Sequence, residues 1–227
     1  MKKPQGTFGW FKARYAKVSM SDGVNTLMHG GFVAKNSLLR NIRERMQHTD
    51  EQIMAAFREA DQISNRVESL AWGHDSEGKG VAYYELTRGA DVQRPGFVVH
   101  SRFYWCGGSP DFLEIDDSSN LIVGEVKCPA TSAIHLQYLG YRKISTEHYN
   151  QVQGNIAVTG ADSGKFLSFD PRQELESKVL SVVNVPKDPD WQRAFFLAAT
   201  EFDHHMRNGS FYDNPLTKAV DGLPSMF

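Results

Sequence analysis

An α/β fold, with a central mixed β-sheet flanked by helices, is predicted by three features of this sequence. Helix-period segments fill the region before Phe97, three β-like runs follow between Phe97 and Cys128, and two helices, two more runs and a last amphipathic helix complete the chain. With 227 residues, 41% of them hydrophobic, the chain can build one substantial core. No internal repeat, low-complexity tract or interdomain linker interrupts it, so one domain over 1–227 is expected.

Trp10 to Leu27 reads as a helical segment in which Ser21 caps a turn before the Gly30-Gly31 break. Asn36 to Met46 suits a basic helix. Thr49-Asp50-Glu51-Gln52 has the form of a capping box, and Ile53, Ala56, Phe57 and Ala60 follow it at helical spacing. Asp75 to Leu86 forms the next helix, with Glu77 in its first turn. Phe97–Tyr104, Asp111–Ile115 and Asn120–Cys128 read as strands, the last two joined by the hairpin chemistry of Asp116-Asp117-Ser118-Ser119. Helices at Ala133–Tyr141 and Thr146–Val158, strands at Lys165–Phe169 and Lys178–Asn184, and a final helix marked by Trp191, Phe195, Ala198, Phe202 and Met206 complete the order.

Composition narrows the function. The apolar run Ala194–Ala199 is too short to span a bilayer, and Met1-Lys2-Lys3 is not followed by a signal core, so a cytoplasmic protein with no membrane partner is expected. Cys106 and Cys128 cannot make a four-thiolate site within one chain, and buried free thiols are expected. The net charge is −2, yet residues 1–47 carry nine Lys or Arg against Asp22 and Glu44, a local balance of +7. That basic surface could meet phosphates.

Two short motifs carry the chemistry. In Leu121–Lys127 the strand period places Glu125 and Lys127 on one side and Val126 on the other, and Ser109-Pro110-Asp111 opens the preceding strand. Carboxylates beside a lysine suit phosphodiester hydrolysis, where the acids hold Mg²⁺ against the phosphate and the lysine offsets developing charge. A turn at Pro-Asp and a solvated strand edge would give the same letters. Gln151, on the helix after the lysine strand, could bring an amide to a phosphate or water. His74-Asp75 and His204-His205 suit surface or packing roles better than metal binding, and the aromatic residues Tyr83, Tyr84, Phe103, Tyr104 and Trp105 suit core better than base stacking.

Ser109-Pro110-Asp111, Glu125-Val126-Lys127-Cys128-Pro129, Tyr149-Asn150-Gln151-Val152-Gln153, Val158-Thr159-Gly160 and Phe169-Asp170-Pro171-Arg172 together resemble the lambda-exonuclease family, the YqaJ-type viral recombinases of the PD-(D/E)XK nuclease superfamily. The resemblance runs from Trp10 to at least Arg172. It implies a restriction-endonuclease-like core and makes Asp111, Glu125 and the Val126 carbonyl ligands of Mg²⁺, with Lys127 the catalytic lysine. Glu77 matches the family's helix glutamate and would hold a second ion or its water; two ions about 4 Å apart are expected, and Mn²⁺ could substitute. Arg14 and Ser21, in the segment Trp10–Ser21, resemble the residues that bind a 5′-terminal phosphate, and Ser109 and Gln151 would complete that pocket. Ala133 departs from the pattern, standing where the lambda member has a basic residue.

The implied activity is a Mg²⁺-dependent 5′-to-3′ exonuclease that digests one strand of linear duplex DNA to mononucleotides and leaves 3′ tails for recombination. A ring-shaped homotrimer threaded by DNA and a single-strand annealing partner are also implied. A site-specific endonuclease of the same fold and a catalytically silent DNA-binding module are the rival readings, and the two-cysteine count disfavours the iron–sulfur nucleases of the superfamily.

Overall fold

The computed structural model describes residues 4–141 and 144–213, except the side chains of Asn65, Ser69, Leu70, His74 and Tyr141. Helices α1 (Phe8–Arg14), α2 (Val24–His29), α3 (Phe32–Arg45), α4 (Asp50–Arg66) and α5 (Glu68–Arg88) come first, with the two-residue strand β1 (Val18–Ser19) between α1 and α2. Strands β2 (Val92–Gln93), β3 (Val98–Val99), β4 (Cys106–Gly108), β5 (Phe112–Ile115) and β6 (Leu121–Lys127) follow, then α6 (Ser132–Tyr141), α7 (Thr146–Thr159), β7 (Ser163–Phe169), β8 (Leu180–Pro186) and α8 (Pro189–Asn208).

The main sheet has the order β2-β5-β6-β7-β8 and is mixed: β6 pairs in parallel with β7, and the other neighbours are antiparallel. A parallel pair needs a crossover, which α6 and α7 supply. The β5–β6 hairpin closes through Asp116, whose Oδ1 accepts the amides of Ser118 and Asn120, both at 2.9 Å. The sheet is covered on both faces. On one, Val81 and Tyr84 of α5 pack with Phe112, Val126 and Leu167; on the other, Val152 and Ile156 of α7 pack with Val123, Phe166 and Val185.

The expected Trp10–Leu27 helix is broken. Val18 and Ser19 are buried and pair in parallel with Cys106 and Gly107 in a second, three-stranded sheet, β1-β4-β3. Ser21 caps nothing there, because the residue at the start of α2 is Gly23. The expected Phe97–Tyr104 strand shrinks to Val98–Val99, since Phe103 turns into the core and the chain pairs again only from Cys106. The expected Asp75–Leu86 helix begins earlier, at Glu68, so Glu77 lies mid-helix rather than in the first turn, and the expected Lys178–Asn184 strand runs from Leu180 to Pro186. Thr49 and Gln52 make both hydrogen bonds of a capping box, and Trp191, Phe195, Phe202 and Met206 form the buried stripe of α8. Tyr84, Phe103 and Trp105 are core, Tyr104 is exposed, and both cysteines are buried and free. Among the described residues no helix is long and apolar enough to cross a membrane.

Candidate active site

The alternation of β6 turns Val126 into the core against α5 and sends Glu125 and Lys127 towards α7. Glu125 is 3% exposed and its carboxylate is held on both oxygens. Oε1 accepts from Lys127 Nζ and from Gln151 Nε2, each at 2.6 Å, and Oε2 accepts from Asn155 Nδ2 at 3.3 Å. Gln151 thus gives a hydrogen bond that orients Glu125. Asn155 lies one turn after Gln151 on the same face of α7, and its Oδ1 is buried without a partner.

Asp111 stands just before β5. Its amide donates to the Gly124 carbonyl at 2.9 Å, and its Oδ2 accepts the Val126 amide at 2.6 Å, which ties the two motifs together across the hairpin. Glu77 comes from α5, which can approach β6 closely because Gly80 lies against it: a Cβ there would stand 2.9 Å from Val126 Cγ1. At the far wall, Trp10 Nε1 donates to Ser109 Oγ at 2.9 Å, and Arg14 lies over the Trp10 ring, 4.6 Å from its centroid. Arg14 Nη2 donates to Asp22 Oδ2 at 3.0 Å and reaches Ser21 Oγ at 3.4 Å.

One cavity of about 220 Å³ gathers these side chains. Arg14, Ser21, Glu77, Ser109, Asp111, Glu125, Lys127 and Gln151 all line it; Val126 is not in the lining, and its amide donates to Asp111 Oδ2. Sequence reasoning missed Trp10 as a hydrogen-bond donor to the wall, and it missed Asn155, whose spacing of four from Gln151 was the available signal. Ala133 is exposed on α6 and outside the cavity. His204 and His205 pack edge to face on α8, away from the cavity, whereas the side chain of His74 lies outside the described part.

The electrostatics are those of crowded acids. Burial raises the Asp111 carboxyl well above the usual range, and the Glu125 and Glu77 charges raise it further. Burial opposes the Lys127 ammonium, but Glu125 and Asp111 overcome it, so Lys127 stays charged above the ordinary lysine range. Hard oxygen donors in a shielded, mutually repelling group fit a divalent cation such as Mg²⁺. Among the described residues no three His, Cys, Asp or Glu side chains converge tightly enough to hold an ion unaided. Two carboxylates completed by main chain and water are the donor set that fits.

Residues 9–162 match the model of the YqaJ-like viral recombinase domain. None of the curated proteins compared with the chain matches it. Among solved structures, LHK-Exo in complex with dAMP is similar at a TM-score of 0.70 and 22% identity, over 89% of this chain and 94% of the other. A structure of the alkaline exonuclease LHK-Exo from Laribacter hongkongensis is similar at a TM-score of 0.67 and 22% identity, over 95% and 99%. The expected PD-(D/E)XK core is the fold observed.

Proposed function

The chain belongs to the YqaJ-like viral recombinase family, and from that membership and the cavity chemistry we propose that it is a Mg²⁺-dependent exonuclease that digests linear duplex DNA from 5′ ends. The observation that carries this reading is the convergence, in one cavity, of Asp111, Glu125, Lys127 and Glu77 with Arg14, Ser21 and Ser109. The first group suits phosphodiester hydrolysis; the second suits an anion at the end of a strand. The similarity to LHK-Exo with dAMP supports mononucleotides as the product.

Asp111, Glu125 and the Val126 carbonyl would hold the cation, with Glu77 towards a second ion or its water. Such a cation supplies Lewis-acid polarisation of the phosphate and a water of lowered pKa. Gln151 and Asn155 fix the Glu125 carboxylate in place. Lys127 brings a fixed positive charge to the reacting phosphate, in a site shielded enough for that charge to count. Arg14, stacked on Trp10, presents a planar guanidinium able to grip a terminal phosphate through parallel hydrogen bonds. Assembly as a DNA-threaded homotrimer and partnership with a single-strand annealing protein, which would take up the 3′ tail, belong to the same reading; a molar-mass measurement in solution tests the first.

The test is incubation of 5′-phosphorylated linear duplex and closed circular duplex with Mg²⁺. Loss of the 5′ strand from the linear substrate, an intact circle and no digestion by Lys127→Ala are expected. Undiminished digestion by Lys127→Ala, or equal digestion with the divalent cation chelated, sinks the mechanism. Cutting of the circle would instead indicate an endonuclease.

A further inference from the structure

Part of the donor set that the proposed end pocket would offer to a phosphate, Arg14 Nη2 and the Ser21 hydroxyl, already faces a carboxylate of this chain. Asp22 Oδ2 accepts from Arg14 Nη2 at 3.0 Å and lies 3.1 Å from Ser21 Oγ and 3.3 Å from Ser19 Oγ. The two hydroxyls are themselves 3.1 Å apart, and the Asp22 amide donates to Ser19 Oγ at 3.1 Å. Each serine has one proton to give. With those protons committed within the network, neither hydroxyl is left to donate to an arriving phosphate oxygen.

Asp22 is also placed to leave. Its side chain is 79% exposed, against 26% for Arg14. It lines a neighbouring cavity of about 640 Å³ rather than the catalytic one, and Arg14 and Ser19 form a wall common to both. An exposed carboxylate of this kind gives up an ion pair at small cost. A terminal phosphate, carrying a charge of about −1.5 to −2, competes well for the same arginine.

We propose that Asp22 is a resident competitor for the 5′-terminal phosphate, occupying Arg14, Ser21 and Ser19 until the phosphate displaces it and returning as the phosphate leaves. The inference rests on the proposed end pocket and deepens it. If each released mononucleotide carries away the phosphate that sat in this pocket, a carboxylate poised to reclaim the donors favours product release. Asp22 then sets how strongly the protein prefers phosphorylated over unphosphorylated 5′ ends.

The test is equilibrium binding, with divalent cations chelated, of two short duplexes that differ in a 5′-phosphate or a 5′-hydroxyl, to wild type, Asp22→Asn and Arg14→Gln. Asp22→Asn is expected to bind the phosphorylated duplex about two- to fivefold more tightly, the scale of an exposed ion pair, with the hydroxyl duplex unchanged. Asp22→Ala should do the same, and dAMP should inhibit strand digestion more strongly in both variants. Weaker binding of the phosphorylated duplex by Asp22→Asn would make Asp22 a support for Arg14 and overturn the proposal, as would an equal change for both duplexes or none. Failure of the end pocket itself looks different: wild type and Arg14→Gln would then bind the two duplexes alike.

Discussion

Gly124→Ala is the substitution that most directly tests how β5 and β6 hold the acids in register. Gly124 pairs with Phe112, and a methyl group on it would stand 2.0–2.4 Å from Cε1, Cζ and Cδ1 of that ring. Ordinary carbon contacts are about 3.5–4.0 Å, so the ring would have to retreat by roughly 1.5 Å. It has nowhere to go: Phe112 is fully buried, lies on the Tyr84 ring at 5.2 Å and packs with Val126 and Leu167. Overpacking of this kind costs about 1–3 kcal/mol, and the upper end applies to a rigid ring; the gain in backbone entropy from glycine to alanine returns about 0.5–1 kcal/mol. A net loss of about 2 kcal/mol is expected, or a fall in Tm of about 4–8 °C for a protein of this size. Urea unfolding should show a lower midpoint with an unchanged slope. Phe112→Leu gives the methyl room, so the double variant should be more stable than the sum of the single effects predicts, by about 1 kcal/mol or more. A neutral Gly124→Ala, or strict additivity, would refute the steric argument.

Two further outcomes follow from side chains around the site. Asn155→Ala removes the amide that holds Glu125 Oε2 but also an unpartnered buried Oδ1, so stability should fall by no more than about 1 kcal/mol while strand digestion slows by about tenfold, read as kcat from initial rates. Burial alone would raise the Asp170 carboxyl, but hydrogen bonds from Arg172, Ser132 and Gln173 hold it well below the usual range. A depressed folded-state pKa contributes stability that is complete above the unfolded pKa of about 3.9 and is lost as pH falls through the folded value. Asp170→Asn should therefore cost about 2–3 kcal/mol by urea unfolding at pH 7, with the deficit shrinking as the pH drops below about 4; a deficit that persists undiminished at pH 2.5 would show that the charge is not what stabilises the loop.

The fold was legible where the chain repeats a period long enough to be counted. β6 spans seven residues and α8 spans 20, so face assignment follows from spacing alone, and the capping box at Thr49 marks a helix start chemically. β1, β2 and β3 are two residues each. At that length no alternation exists to be read, and what makes Val18–Ser19 a strand is a partner near Cys106, far along the chain. The local pattern around Trp10–Leu27 favours helix on both sides of that pairing, which is why the break was invisible.

The site divides along the same line. Glu125 and Lys127 share a face because the backbone period requires it, and Asp111 reaches them because a hairpin returns the chain by a fixed number of residues. Those positions depend on local geometry. What surrounds them depends on which face of α7 meets the sheet, a matter of packing between Val152, Ile156 and the β6–β7 strands. Once that face is fixed, Gln151 and Asn155 must both arrive at Glu125, because residues four apart on a helix stack over one another. The Gln151 amide thereby gives a hydrogen bond to the carboxylate, and the proposed recognition of a strand end rests on α1 and the loop after β1, where Arg14 and Ser21 face Asp22. In the proposed reading, cutting and end recognition draw on different elements that meet at one cavity. A substitution at Asp22 should therefore change binding of the end while leaving the Glu125 environment as it is.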